Sequence, residues 1–436
     1  MGWKTDIALS RRPLMGFVAI GVAWAAYFAQ IPDIKANVGA SDGAYGAVMF
    51  VASICSIAAM WLAPMCRRRF GGRAVGVGIV LVGIGMTTAG TAAGVVVMAL
   101  GMSLAAMGSG IVDVLINARV SEIEQERARP LMNLNHALYS FAYAAAALAT
   151  GVLREAALPT AVIFALLCAV LLVLCWQSKD RAPTLEESGS ALGQGQMPHV
   201  FVILIGMVVM AGFLVESASE GWSALHLERT LGGSAGEGAL GPALLGLTMG
   251  FGRLFGQALV GVMRDTTLIL LATLVSAAGL ALAGLAPSVL VALAGFALGG
   301  LGISVVAPLA LALVGRTVPP QARLAAISRA SVLGYGAFFF GPPLMGLASQ
   351  GFGLRIAFVG VAVFLVLVAL TLVPAMARSA AAISSKEIGP AFQKTPRALN
   401  SANAPQNPPG SADCAAQDRQ QRSRRTAPSR YRAHCG

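Results

Sequence analysis

The chain has 436 residues, is 56% hydrophobic and only 11% charged, and carries a formal net charge of +12. Soluble domains carry roughly 25% charged residues, so composition excludes a soluble enzyme, and it excludes a soluble nucleic-acid-binding domain despite the basic excess. Long apolar runs also exclude a membrane barrel, whose strands alternate, and leave an all-α membrane protein as the expected fold class.

A spanning helix needs about 20 mostly apolar residues. Twelve segments qualify, at about 13–32, 44–64, 74–91, 95–118, 133–153, 159–177, 198–222, 240–262, 266–285, 287–315, 329–349 and 355–376. The first has too long an apolar stretch for a cleaved signal peptide and lacks a small-x-small cleavage site. It carries Trp24, Tyr27 and Gln30 toward its far end, followed by Asp33. The fourth carries Asp113 and Asn117, four apart and therefore on one helix face. The fifth opens with Asn133, Asn135 and His136 and continues to Tyr139. Antiparallel neighbours would bring Asp113 and His136 to similar depth, so the two can pair. Such a pair is either a static clamp or a proton relay, since histidine titrates near neutrality.

The stretch SKDRAPTLEESGSALGQGQ separates six segments from six. The seventh segment ends in VESASEGWSAL, which places Glu216 and Glu220 on one face. Counted from Pro198, Glu216 falls in the outer third of the bilayer, as a gate or proton-uptake carboxylate, and Glu220 near a solvated helix end. Trp222 fits an interfacial aromatic belt. Arg253, in the eighth segment, is the one basic residue expected at mid-membrane, either in a substrate cavity or in a structural salt bridge. The eleventh segment carries Tyr335 and a Gly-Pro-Pro run that should kink it. Trp24, Tyr27, Tyr139 and Tyr335 are either helix packing or a stacking surface for a sugar-like ring. The segment from 377 is rich in Ala, Ser, Pro, Gln and Arg and reads as a disordered basic tail.

The organisation expected is therefore an N-terminal six-helix bundle over 1–177, a central loop over 178–197, a C-terminal six-helix bundle over 198–376 and a tail over 377–436. Placing both termini in the cytoplasm puts 26 of the 31 basic residues on the inner side. The outer loops then hold Lys35, Arg154, Arg229 and Arg355. The halves repeat one another. Ser41-DGAYG matches Gly236-EGALG at an offset of 195, and the Gly108-Ser-Gly-Ile run matches Gly300-Leu-Gly-Ile at 192. Duplicated halves of this kind are the architecture of alternating-access carriers, with the substrate held near the midplane between them.

Several runs carry a resemblance: APMCRRRFGGR after the second segment, GSGIVDVLINARVSEIEQERARPLMNLNHALYSF, VESASEGWSAL, GFGRLFGQ and LGYGAFFFGPPLMG. Together they resemble the major facilitator superfamily, and within it the YbjJ-like bacterial inner-membrane branch, more distantly fucose-permease-like sugar carriers. Arg68 stands where the family loop usually has Asp, and Gln257 where it often has Asp. The resemblance implies a monomeric, multi-pass secondary transporter of the bacterial inner membrane. It would move a small polar solute, sugar- or polyol-like, with proton coupling. Its candidates for coupling or gating are Asp113, His136, Glu216 and Glu220. Its cavity candidates are Trp24, Tyr27, Gln30, Asn117, Asn135, Tyr139, Arg253 and Tyr335. Proton-driven efflux of drugs or metabolites is the alternative, and an intramembrane enzyme or sensor built on Asp113 and His136 is a third reading. No catalytic residues, cofactor, metal or nucleic-acid partner is expected; the expected partners are a solute, protons and the lipid bilayer, and no phosphate-binding loop occurs.

Overall fold

The computed structural model describes residues 3–180, 197–259 and 262–388, and all regular structure among them is helical. The helices before the 181–196 stretch form a first group: α1 (Trp3–Ala29), α2 (Ile31–Val38), α3 (Asp42–Phe70), α4 (Ala74–Gly90), α5 (Val95–Arg127), α6 (Met132–Glu155) and α7 (Thr160–Gln177). Those after it form a second: α8 (His199–Leu225), α9 (Ala235–Leu259), α10 (Asp265–Leu285), α11 (Val289–Ile303), α12 (Val306–Thr317), α13 (Pro320–Leu370) and α14 (Leu372–Ile388). A π-helical turn, His226–Thr230, prolongs α8. Nine candidate spans are found among the described residues. The longest, Asp42–Gly90 and Gln321–Ile383, each contain two of the expected segments.

Local chemistry sets the boundaries. Ser41 caps α3 by accepting the Ala44 N–H at 3.1 Å, and Gly39 ends α2 with a left-handed φ of 64°. Ser234 and Glu237 form a capping box at the start of α9. Helix α13 is broken at Gly353, whose φ of 81° suits glycine alone. The expected kink at Gly-Pro-Pro instead remains helical. Pro342 has no N–H for the Phe338 carbonyl, and Ser53 from α3 donates to that oxygen at 2.7 Å. Helix α14 extends through Ile388, beyond the expected start of the tail at 377; the tail from 389 and residues 181–196 of the central loop lie outside the described residues.

The repeat has a structural counterpart. A Cβ on Gly85 would lie 2.6 Å from the Gly101 carbonyl oxygen, and one on Gly279 would lie 2.7 Å from that of Gly295. Helices α4 and α5, and likewise α10 and α11, thus approach backbone to backbone through glycines in equivalent places. Two further pairs join the groups. Gly46 of α3 meets Pro342 and Gly346 of α13, and Gly151 of α6 meets Gly236 and Ala239 of α9.

Candidate functional site

A cavity of about 240 Å³ lies between the two helix groups. Trp24, Asp113 and Tyr139 reach it from the first group, and Glu216, Glu220 and Tyr335 from the second. Trp24 is fixed by its indole N–H donating to the Ser109 hydroxyl at 3.0 Å, and Tyr335 stacks on Phe213 with centroids 5.6 Å apart.

Helix α8 runs further past Glu216 than a count from Pro198 to the bilayer edge implies. Helix α8 with its π turn spans 32 residues, His199–Thr230. At about 1.5 Å per residue that far exceeds a hydrocarbon core of about 30 Å. Glu216 therefore sits near mid-helix and faces the cavity. Its carboxylate lies 3.6 Å from the Arg253 guanidinium, each side chain 14% exposed. Glu220 is likewise a cavity residue, not a solvated helix end, because the helix continues past it. Trp222 is not in an interfacial belt. It is 1% exposed and packs on Tyr45 of α3 at 5.1 Å.

Arg253 ties the groups together. It donates to the Ser140 hydroxyl of α6 at 2.6 Å as well as meeting Glu216. It lines a second cavity of about 380 Å³ with Asn133, Ser304 and Arg316. Asp113 and His136 do not pair directly. Asn117 stands between them, donating to Asp113 Oδ1 at 3.0 Å while its own Oδ1 lies 3.3 Å from His136 Nε2. The expected contact is thus a three-residue chain. Three other candidates point elsewhere. Tyr27 is fully buried, Gln30 donates to the Ala26 carbonyl, and Asn135 donates to the Leu131 carbonyl.

The largest feature that the sequence reading did not assemble is a charge network at one end of the bundle. Arg154 of α6 donates to Asp33 at 2.7 Å, to Glu228 at 2.7 and 3.1 Å, and to the Ala29 carbonyl at 2.7 Å. Asp42 of α3 accepts from Lys35, from Ser349 of α13, and from both Nη atoms of Arg229 at 2.8 and 2.7 Å. Glu155 accepts the Gly236 N–H at 2.7 Å. The bonds of Arg154 to Glu228, of Asp42 to Arg229 and Ser349, and of Glu155 to Gly236 cross from one group to the other. At the opposite end Asp180 holds Arg12 and Arg119, Arg129 meets Asp6, and Arg316 meets Asp265. Each of those pairs joins residues of one group. The signal for the first network is present in the sequence, since Lys35, Arg154 and Arg229 are three of the four basic residues left on the outer side and each has an acid nearby.

Comparisons with known proteins agree with this geometry. The model for the Major Facilitator Superfamily matches residues 205–406. A Yersinia pestis protein named as an uncharacterised MFS-type transporter is 29% identical over 369 residues, covering 81% of this chain and 92% of its own. The chain is similar in sequence and in fold to the major facilitator superfamily. Membrane protein MosC of Rhizobium meliloti is 24% identical over 339 residues, covering 78% of this chain and 83% of its own. Among solved structures, a D-xylose–proton symporter superposes with a TM-score of 0.70 at 16% identity, covering 85% of this chain and 97% of its own. A nucleoside transporter gives 0.69 at 12% identity, covering 84% and 99%. At such identities the likeness is one of fold. The likeness is to transporters, and the long apolar helices are those of a multi-pass membrane protein.

Proposed function

We propose that this chain is a proton-coupled secondary transporter of a small polar solute in a bacterial inner membrane. It works by rocking two six-helix halves, 1–177 and 198–376, around the central cavity. Both termini lie in the cytoplasm, so the Asp33 end faces outward. The observation that carries this reading is the cavity between the groups, lined by Glu216 and by aromatic side chains from both groups. A carboxylate at that depth needs a partner or a function, and Glu216 shares Arg253 with the opposite group's Ser140. Proton arrival at Glu216 would release Arg253 and loosen a contact between the halves. The network of Arg154, Asp33, Glu228, Asp42 and Arg229 acts as the outer gate in its closed state. The proposed solute is smaller than a drug, because drug-sized pockets run about 300–1,000 Å³, whereas this cavity holds about 240 Å³.

The test is a panel of labelled small solutes against proteoliposomes holding the purified chain, with and without an imposed pH gradient. The reading expects at least one solute to exchange in counterflow and to accumulate only with the gradient. Solute movement with no response to the gradient would remove the proton from the account.

A further inference from the structure

The central cavity carries unbalanced charge. Among the described residues three carboxylates line it, those of Asp113, Glu216 and Glu220, and no Lys, Arg or His side chain does. Glu216 has Arg253 nearby, and Asp113 takes the amide of Asn117. Glu220 has no ion-pair partner among the described residues. A carboxylate withdrawn from water is costly until a proton or a cation joins it. The walls suit a cation as well. Trp24, Tyr139, Trp222 and Tyr335 line the same space, and aromatic faces attract positive charge.

A second observation is independent of the acids. Trp222 lines the cavity and is 1% exposed, yet its indole N–H has no hydrogen-bond partner. The hydroxyl of Tyr45, whose ring packs on Trp222, also lacks a partner among the described residues. Buried donors are nearly always satisfied, so these groups call for an acceptor oxygen. An anionic solute would be repelled by the three acids. A neutral one would leave Glu220 without a counter-charge.

We infer that the solute is a small molecule bearing both a protonated amine and an acceptor oxygen. Its amine sits at Glu220, and its oxygen takes the Trp222 N–H. This rests on the transporter reading above and narrows its substrate class.

The test uses the purified full-length chain and matched probes: glucosamine with glucose, ethanolamine with ethylene glycol, and putrescine with butane-1,4-diol. Thermal midpoints are followed against probe concentration, since a solute that binds only the folded state raises them. The amines are expected to act at concentrations about tenfold or more below their neutral partners. Glu220→Gln should remove that preference. Trp222→Phe should weaken glucosamine and ethanolamine but not putrescine, which has no acceptor oxygen. Should Glu220→Gln fail to fold, Glu220→Asp replaces it and should lower amine affinity. Equal stabilisation by the neutral partners, silence from all three amines, or an unchanged preference in the Glu220 variant overturns the assignment. Counterflow in proteoliposomes separates the two readings. Amine binding without exchange would sink transport and keep the amine site, whereas exchange of neutral solutes alone would do the reverse.

Discussion

Arg154 and Glu228 meet fork to fork across the two helix groups, Nη1 to Oε1 at 2.7 Å and Nη2 to Oε2 at 3.1 Å. The arginine side chain is only 2% exposed. Removing one partner of a buried pair costs about 3–5 kcal/mol, and each 1.4 kcal/mol is about tenfold in population. Asp33, 46% exposed, contributes less because water screens it. Arg154→Ala should therefore open the Asp33 end. With the native cysteines replaced, a reporter at Ser217→Cys should react with a membrane-impermeant thiol reagent at least about tenfold faster from that side. Arg154→Lys, which keeps the charge but loses the fork, should fall between. Equal rates in all three proteins would mean that the pair does not hold the gate.

The glycine contact between α3 and α13 makes a steric prediction. A Cβ at Gly46 would stand 2.7 Å from the Pro342 carbonyl oxygen and 3.2 Å from the Gly346 Cα. Gly46→Leu should wedge this end apart and stop turnover, while the chain still folds and binds solute from the wedged side. Wild-type counterflow rates in that variant would contradict the close approach.

Glu216 and Arg253 form a pair that stability can test. Losing either partner leaves an uncompensated buried charge, whereas replacing both with neutral groups does not. The double variant Glu216→Gln, Arg253→Met should melt above Arg253→Met alone, by a coupling of about 0.5–3 kcal/mol. Additive effects would indicate that the 3.6 Å contact carries no coupling.

Asn117 invites a separate test. If it only clamps α5 to α6, Asn117→Ala should lower the melting midpoint and leave the pH profile of transport unmoved. If protons pass along Asp113, Asn117 and His136, the profile should shift and the accumulation ratio fall. An unchanged midpoint with an unchanged profile would dismiss both roles.

Much of the fold was legible in the sequence, for physical reasons. Apolar runs above the spanning length announce helices whatever their packing, and the Ser41-DGAYG repeat marks helix starts that the capping bonds of Ser41 and Ser234 then explain. Depth was less legible. A count from Pro198 ends α8 with the bilayer, but the π turn carries the helix to Thr230, so Glu216 lies near the middle of the helix. Trp222 reads as interfacial from its residue type, but it is buried against Tyr45 of α3. The Asp113–His136 link was right in neighbourhood and wrong in detail, because spacing along one helix cannot tell which of Asp113 and Asn117 reaches the next helix. The charge network joins residues far apart in the chain, 121 positions for Arg154 and Asp33 and 307 for Ser349 and Asp42, and no local pattern encodes such meetings. Gln257 lies where side chains are not described.

The central claim is that Glu216 couples solute movement to the proton. The most direct measurement records lumenal pH and solute uptake together in proteoliposomes, for wild type and Glu216→Gln. The account predicts that wild type moves protons with solute and accumulates it under a gradient, while Glu216→Gln exchanges solute in counterflow but neither moves protons nor accumulates. Gradient-driven accumulation by Glu216→Gln at the wild-type level would contradict it.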